Sequence, residues 1–241
     1  MCGGQDDNRT YRRECWLYDA QAVEWREGGR LREARHSSAA AFHPDHGWVI
    51  TGGYDGARKS TAERTRNGSA FDAFAKLPIA LSDHCMVSLD GSDEGDFLVA
   101  GGFGNGYNKR TFIYKNSEWI PAADMPTARR GLACGTVRGE GGGAVEKVVA
   151  VGGRRGSQLS KVEVYDVASN TWTDGASLPV PVANAAVVPF DDTFLVIGGY
   201  MGKSVYSDKV YRYNNSQEET WTEMTDLKLS EAKESVVAMI V

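Results

Sequence analysis

Short apolar runs recur along the chain at nearly regular intervals, and each ends in a pair of glycines. The runs occupy residues 48–51, 97–100, 148–151 and 194–197. Apolar runs of four to eight residues bounded by turn signals predict fully buried β-strands. Glycine pairs in phase with these runs start at Gly3, Gly52, Gly101, Gly152 and Gly198, which gives steps of 49, 49, 51 and 46 residues. The pattern predicts five repeats of about 50 residues.

Each repeat continues with a second short strand that ends near a tyrosine, and a tryptophan follows a few residues later. The clearest pairs are Tyr18 with Trp25, Tyr114 with Trp119, Tyr165 with Trp172 and Tyr213 with Trp221. The second repeat departs from the pattern, because its tyrosine position falls near Thr65 and Phe71 or Phe74 must replace the tryptophan. Strands rich in small residues come last, at 37–42, 85–89, 132–137 and 185–188.

Four short strands per repeat predict one small, twisted antiparallel sheet. Such a sheet cannot bury both of its faces alone, so neighbouring repeats must pack against each other. Radial packing around an axis gives a β-propeller. The small-residue strands would lie nearest the axis, and the tyrosines and tryptophans would anchor neighbouring sheets through large side chains with a polar group. An all-β fold is therefore predicted.

The order of these signals resembles the kelch repeat: a strand with Gly-Gly, then Tyr-Asp, Trp and Met-Pro or Leu-Pro. The resemblance implies one kelch-type propeller domain over 1–241, with five detectable four-stranded blades and repeats near 1–46, 47–94, 95–144, 145–192 and 193–241. Kelch propellers more usually have six or seven blades. Residues 235–241 are expected to supply the inner strand of blade one and so close the ring. Only Met1 and Cys2 precede the first Gly-Gly, so blade one is expected to be truncated.

The charge balance bears on the class of partner. The chain has 27 basic and 32 acidic residues, a formal net charge of −5, which argues against a general nucleic-acid-binding surface. No run of about 18 apolar residues is present, so no membrane insertion is expected. The N-terminus shows no signal segment.

Resemblance to peptide-binding kelch proteins places candidate contacts on two loops that share one face. The loop before the inner strand would contribute Arg35, Arg129 and Lys233, although Leu81 and Val182 depart from this pattern. The position after Gly-Gly would contribute Tyr54, Phe103, Arg154 and Tyr200. Further cations in the same loops are Arg58, Lys59, Lys109, Arg110, Arg155 and Lys203. Because arginine pairs well with carboxylates and phosphates, we expect a non-catalytic module that binds an acidic protein or peptide segment. The alternative is that these are solvated loop charges.

An enzymatic function is the alternative to a binding module. Some kelch-type propellers are oxidoreductases or act on carbohydrates. Asp55, Asp83 and Asp124 are candidates for a sugar site by loop position alone, and no catalytic or phosphate-binding motif is matched. We therefore expect no enzymatic activity and no cofactor.

The four histidines do not form a strong metal motif. His43 and His46 have an HxxH spacing, but Pro44 and Asp45 between them are typical of a tight turn. A structural zinc site needs four ligands, so no metal site is expected here. His36 and His84 precede inner strands and are interpreted as structural residues.

The cysteines bear on the redox compartment. Cys2 and Cys15 fall on neighbouring antiparallel strands of one blade, where a disulfide is plausible. Cys85 and Cys134 fall on inner strands of adjacent blades and are expected to be small buried thiols. Glycosylation sequons begin at Asn8, Asn67 and Asn214. These features favour a secreted protein if the N-terminus is incomplete, and a cytoplasmic one otherwise.

Overall fold

A computed structural model describes residues 1–215, 219–227 and 229–233. The regular structure in these ranges is almost entirely β, in agreement with the predicted all-β class, with one short 3-10 helix at Glu140–Gly142. The described strands form four four-stranded sheets and a smaller N-terminal unit. The sheets have a β-propeller arrangement, so each four-stranded sheet is one blade.

Most strands belong to the blades. The N-terminal unit contains β1 (Glu14–Asp19) and β2 (Glu24–Arg30). Sheet I contains β3 (Ala39–His43), β4 (Gly47–Thr51), β5 (Ala62–Thr65) and β6 (Asp72–Phe74). Sheet II contains β7 (Cys85–Ser88), β8 (Phe97–Ala100), β11 (Thr111–Lys115) and β12 (Glu118–Ala122). Sheet III contains β13 (Ala133–Arg138), β14 (Val145–Val151), β17 (Val162–Asp166) and β18 (Thr171–Asp174). Sheet IV contains β19 (Ala186–Phe190), β20 (Thr193–Ile197), β23 (Val210–Asn214) and β24 (Thr220–Glu223).

The remaining short strands form two-stranded hairpins after three of the glycine pairs. They are β9 (Phe103–Gly104) with β10 (Gly106–Tyr107), β15 (Arg154–Arg155) with β16 (Ser157–Gln158), and β21 (Tyr200–Gly202) with β22 (Val205–Tyr206). Every pairing is antiparallel, and each four-stranded sheet runs through its strands in chain order. Each sheet takes its first strand from the end of the preceding sequence repeat, because that strand pairs with the one before the next Gly-Gly.

The core lies between the sheets. Successive side chains of a strand point to opposite faces. Accordingly, Val148 of β14 packs with Leu98 of sheet II, whereas Val149 packs with Phe194 of sheet IV. Each fully buried side chain of this size contributes about 1.5–3 kcal/mol relative to an exposed one. Because both faces of a central blade are apolar, the blade cannot be stable without the blades that pack on each side of it.

The tryptophans connect neighbouring blades through a repeated hydrogen bond. The indole N–H of Trp119 donates to Ala75 O at 3.0 Å, that of Trp172 to Ala123 O at 2.9 Å, and that of Trp221 to Ala176 O at 2.8 Å. Each bond links the outer strand of one blade to the chain just after the outer strand of the preceding blade. This is the anchoring role predicted for the tryptophans.

A second repeated contact lies just before the inner strands. The backbone N–H of Asp83 donates to Ser37 O, that of Gly131 to Asp83 O, and that of Asn184 to Gly131 O, at 2.8–2.9 Å. All four residues have φ between +51° and +62°, namely 52°, 55°, 61° and 54° in chain order. The left-handed conformation turns each inner strand toward the preceding one, so these hydrogen bonds hold the blades at a fixed spacing.

The five-blade ring is confirmed only in part. In the N-terminal unit Cys2 pairs with Cys15 and β1 pairs with β2, which leaves the unit shorter than the four complete blades. The N–H of Gly199 donates to Lys233 O at 2.8 Å, as that of Gly4 does to Arg35 O, so the repeat continues to Lys233. The predicted closing strand, 235–241, lies outside the described residues. The fifth blade therefore stays a prediction.

Candidate functional site

The chain forms a small hairpin after each of the five in-phase glycine pairs, and these hairpins lie next to the loops that lead into the inner strands. Besides the three two-stranded hairpins, isolated pairings join Gln5 with Tyr11 and Tyr54 with Arg58. The leading loops pair with the hairpins at His36–Tyr54, Ser82–Phe103, Arg130–Arg154 and Ala183–Tyr200. We call the surface made by residues 5–11, 54–58, 103–107, 154–158 and 200–206 and these loop residues the hairpin face. The two predicted sets of loops thus adjoin each other.

Two predicted contact residues are not on this face. Arg35 and Arg129 have no exposed area, and each forms an ion pair inside its own sheet. Arg35 Nη2 lies 2.7 Å from Glu63 Oε1, and Arg129 Nη2 lies 3.0 Å from Glu163 Oε2. The prediction that these two arginines contact a partner is therefore wrong. Burying a charge is costly unless it is paired, and pairing is what these arginines do.

Backbone carbonyls complete the surroundings of both arginines. Arg35 Nη1 donates to Gly52 O at 2.6 Å and to Thr61 O at 3.0 Å. Arg129 donates to Lys161 O and Ala150 O at 3.3 and 3.1 Å. Burial lowers the pKa of Arg129, and the charge of Glu163 acts against this. Both side chains therefore hold the end of the glycine-containing strand against the next strand of the same sheet.

The two other complete blades fill the same position with apolar side chains. In sheet II Leu81 replaces the arginine and Phe112 replaces the glutamate, and both are in one core cluster. In sheet IV the corresponding residues are Val182 and Tyr211, again in one cluster. The position is thus either an arginine–glutamate pair or an apolar–aromatic pair. The sequence contained this signal, because Glu63 and Glu163 hold the same strand position as Phe112 and Tyr211.

The partly exposed side chains of these loops lie one residue further along the chain. The positions that follow Arg35 and Arg129 are His36 and Arg130, and both pair with the hairpins. The ring of His36 stacks on Tyr11 with centroids 5.4 Å apart and meets the edge of Tyr54 at 5.6 Å. Alternation of side chains along an extended segment explains why the neighbour, rather than the predicted arginine, faces outward.

Arginines and aromatic rings continue this row across three repeats. The guanidinium carbon of Arg58 lies 5.8 Å from the centroid of Tyr54 and 4.5 Å from that of Phe103. The guanidinium carbon of Arg130 lies 4.9 Å from the Phe103 centroid. Contacts of this kind stabilise a cation by about 0.5–2 kcal/mol. Of the predicted contacts, Tyr54 and Phe103 thus lie in one row with two arginines.

Tyr107 extends the row to the next hairpin. Its ring meets the edge of Phe103 with centroids 5.4 Å apart, and its hydroxyl accepts a hydrogen bond from the Gly156 N–H at 3.0 Å. That hydrogen bond, with the nearby charges of Arg154 and Arg130, lowers the pKa of the Tyr107 hydroxyl below its usual value. Arg154 is therefore part of the same cluster. We call Arg58, Phe103, Tyr107, Arg130 and Arg154 the arginine cluster.

A pocket of about 480 Å³ adjoins the cluster. It shares Tyr107 with the cluster, its apolar wall is Ile79 and Ala80, and its other lining residues are Gly104, Asn105, Gly106, Asn108 and Arg110. No carboxylate, histidine or cysteine lines it. The donors and acceptors of the pocket are suited to binding a polar group or a peptide side chain rather than to acid–base chemistry.

The other candidates are dispersed. Tyr200 packs against Tyr206 in the hairpin of sheet IV, with centroids 5.4 Å apart. Lys233 is exposed and pairs with Glu231 at 3.1 Å.

The carboxylates considered for a sugar site are engaged separately. Asp55 pairs with Lys59 at 2.7 Å, Asp124 with Lys109 at 3.8 Å, and Asp83 accepts a hydrogen bond from the Ser82 hydroxyl at 2.8 Å. The structure therefore does not bring Asp55, Asp83 and Asp124 into one site.

All four cysteines are in disulfides. Cys2 bonds to Cys15 within the N-terminal unit, with Cα atoms 4.0 Å apart. Cys85 bonds to Cys134, with Cα atoms 5.8 Å apart, and this bond joins the inner strands of sheets II and III. The expectation that Cys85 and Cys134 are separate thiols is therefore wrong. Their 49-residue separation, one repeat, was the available signal, because equivalent positions of adjacent inner strands lie side by side.

The histidines outside the hairpin face have structural contacts. His46 Nε2 lies 2.7 Å from Asp96 Oδ2, and His43 is buried against Phe97. Among the described residues, no group of three or more His, Cys, Asp or Glu side chains is arranged to hold a metal ion. His84 is buried, its Nε2 lies 2.9 Å from Thr51 Oγ1, and burial lowers its pKa to about 4.

The described part of the chain contains no helix that is long and apolar enough to span a membrane.

The repeated blade, the glycine pairs with their hairpins and the tryptophan bonds define a β-propeller built from one repeat type. Residues 146–179 and 181–228 match the family model for the Kelch motif. These two stretches of the chain are thus similar to kelch motifs, as the resemblance implied. It is 34% identical to Kelch-like protein 35 of Mus musculus over 128 residues, which are 53% of this chain and 21% of that protein.

Further relatives show the same relation. The chain is 30% identical over 132 residues to Kelch-like protein 36 of Mus musculus, covering 52% of this chain and 20% of the relative. It is 28% identical over 117 residues to Kelch repeat-containing protein kel-10 of Caenorhabditis elegans, covering 47% and 20%. The chain thus spans about a fifth of the length of the curated relatives it matches. Kelch repeats generally act as protein-interaction modules, and kelch-like proteins are mostly non-enzymatic adaptors.

Proposed function

We propose that this chain is a non-catalytic module that binds an acidic segment of a protein partner on its hairpin face. The observation that supports this most directly is the row of arginines and aromatic rings from Tyr54 to Arg130. Arginine and aromatic residues are the side chains that contribute most often to the energetic centre of a protein interface. Kelch repeats generally serve protein interaction, which agrees with this proposal.

The proposed contacts differ from the predicted ones in two places. Arg58 and Arg130 take the roles predicted for Arg35 and Arg129, because the latter are buried. Tyr54, Phe103 and Arg154 keep their proposed roles. Tyr200 and Lys233 would contact more distant parts of the partner. An acidic segment is proposed because three arginines of this face, Arg58, Arg130 and Arg154, have no ion-pair partner among the described residues.

The test compares two double variants that remove the same charge. Arg58→Gln with Arg130→Gln removes two arginines of the row, and Arg26→Gln with Lys76→Gln removes two exposed cations outside the hairpin face. A partner is first captured from an extract of expressing cells with the wild-type chain and identified. The affinity of the purified partner for the wild type and for each double variant is then measured. We expect the first double variant to lose about tenfold or more in affinity and to show a weaker dependence on salt, and the second to change it little. Equal affinity of both variants would place the interface elsewhere.

A further inference from the structure

The arginine cluster has more positive charge than its surroundings balance. Arg58, Arg130 and Arg154 lie around Phe103 and Tyr107, and none of the three is within ion-pair distance of a carboxylate in the described ranges. Neighbouring cations differ, since Lys59 pairs with Asp55 and Glu33, and Lys109 with Asp124. The cluster thus retains three charges that its own protein does not neutralise.

The arrangement also constrains the arginine side chains. Nε of Arg58 and Nε of Arg154 are buried from solvent and have no hydrogen-bond partner among the described residues. The Arg130 and Arg154 backbones exchange two hydrogen bonds, at 3.2 and 2.8 Å, which fixes the two residues opposite each other. Phe103 supports the guanidinium groups of Arg58 and Arg130 at 4.5 and 4.9 Å. Two guanidinium groups therefore contact one ring, Phe103, and the side chain of Arg154 lies beside Tyr107, which meets the edge of that ring.

Asp83 is an acidic residue beside this cluster. It follows Ser82, which pairs with Phe103, and its carboxylate accepts a hydrogen bond from the Ser82 hydroxyl. Among the described residues, no cationic side chain lies within ion-pair distance of the Asp83 carboxylate. The charge of the cluster is thus open to an external anion.

We propose that the arginine cluster binds the phosphomonoester of a phosphorylated residue in the partner peptide. This proposal rests on the proposed function, because it specifies the acidic group that the hairpin face recognises. A phosphomonoester has a charge of about −1.5 to −2 near neutral pH and three strong acceptor oxygens, whereas a carboxylate has one charge and two oxygens. Three guanidinium groups match the phosphomonoester better, since each can donate to an oxygen through its planar fork.

The adjacent pocket gives the bound peptide a second contact. Tyr107 belongs to both the cluster and the pocket lining, so a residue next to the phosphorylated one would reach the wall formed by Ile79 and Ala80. Asn105 and Arg110 also line the pocket and have side chains that can form hydrogen bonds with the peptide. A phosphate in the cluster and a side chain in the pocket would fix the direction of the peptide.

The experiment uses the full chain and degenerate peptide pools with a fixed central residue. The central residue is phosphoserine, phosphothreonine, phosphotyrosine, glutamate or the unmodified hydroxyl residue. Enriched sequences are resynthesised in each form, and their affinities are measured by fluorescence anisotropy. We expect one phosphorylated form to bind about tenfold or more tightly than its glutamate and unmodified counterparts.

Variants link this difference to the cluster. Arg58→Gln and Arg130→Gln are each expected to reduce the preference for phosphate by about tenfold, and Arg130→Lys to recover part of it, because lysine keeps the charge but not the fork. The matched control is Lys76→Gln, because Lys76 is an exposed cation outside the hairpin face. Thermal unfolding without peptide verifies that the variants fold like the wild type.

The outcomes separate the two proposals. Equal affinity for glutamate and phosphorylated peptides would overturn the phosphate proposal and leave the acidic-partner function standing. The same conclusion would follow if the captured partner still bound after phosphatase treatment. A phosphate preference that Arg58→Gln and Arg130→Gln do not change would overturn the location of the site. If neither the phosphorylated nor the glutamate peptides bound more tightly than the unmodified ones, both proposals would be overturned.

Discussion

At the residue scale, the burial of His84 determines the pKa of its imidazole. The imidazole is buried between sheets I and II, with Thr51 Oγ1 at its Nε2 and no partner at Nδ1 among the described residues. Burial disfavours the charged form, so the pKa of His84 falls from 6.5 to about 4. The neutral ring is therefore part of the folded structure at neutral pH.

Stability is expected to depend on pH through this residue. Because the folded pKa lies below the unfolded one, the contribution of His84 is complete above pH 6.5 and is lost as the pH falls from 6.5 toward 4. The loss reaches about 3 kcal/mol across this range. Chemical denaturation between pH 7.5 and 4.5 measures it, and His84→Gln should show a flatter pH profile than the wild type. Parallel profiles for the two proteins would contradict the shift.

The buried pair of Arg129 and Glu163 makes a second prediction at this scale. Arg129→Leu leaves Glu163 buried without a partner, so the unfolding free energy should fall by about 3–5 kcal/mol. Adding Glu163→Phe reproduces the Leu81–Phe112 combination of sheet II and is expected to recover most of the loss. Denaturant titration of both single variants and the double variant measures the coupling. Additive losses would show that the two positions act independently.

At the element scale, each inner strand must approach its neighbours closely. A Cβ added to Gly135 of β13 would lie 2.3 Å from the ring of Phe194, so only glycine fits there without a shift. The disulfide of Cys85 and Cys134 uses the same closeness, since it crosses from β7 to β13. Adjacent inner strands are thus held by packing, backbone hydrogen bonds and a covalent bond.

The Cys85–Cys134 bond is expected to stabilise the fold by limiting the unfolded chain. Replacing both residues by serine should lower the unfolding free energy by about 2–4 kcal/mol. Denaturant titration without reductant measures the loss. The comparison is made after reduction as well, when wild type and variant should differ much less. A mass about four daltons lower before reduction than after it would verify both disulfides, because each bond removes two hydrogens.

At the scale of the whole molecule, the arrangement of blades leaves the N-terminal unit distinct. Trp16 and Trp25 of this unit are 44% and 47% exposed, whereas Trp119 is 8% exposed in sheet II. In sheets II, III and IV the corresponding tryptophans donate a hydrogen bond to the preceding blade. The first unit therefore has fewer inter-blade contacts than the others among the described residues.

The sequence predicts that residues 235–241 supply the inner strand of this unit. If so, a chain that ends at Lys233 should lose several kcal/mol of stability, because the six apolar residues of 235–241 would no longer be buried. Thermal unfolding and binding of a hydrophobic dye measure the change. A chain with 235–241 replaced by a Gly-Ser segment of equal length serves as the length control. Unchanged stability in both variants would contradict closure by this segment.

How much could be predicted varies with the range of the interaction. The glycine pairs, the apolar runs and the tryptophans of the clear repeats are local signals, and the structure places them as the pattern required. The prediction for Arg35 and Arg129 was wrong because the position of a residue in a loop indicates that it is near the hairpin face. It does not indicate whether its side chain points outward or into the core. The partners Glu63 and Glu163 lie 28 and 34 residues further along the chain.

The sequence by itself determined the repeat, the strand order and the all-β propeller, because these follow from the spacing of apolar and glycine positions within each repeat. Only the tertiary structure decided which cations are buried and which remain free. It also joined Cys85 to Cys134 and placed Arg58, Phe103 and Arg130 in one row. These outcomes depend on contacts between different repeats. Such contacts are set by how the blades pack, and no single repeat contains the information.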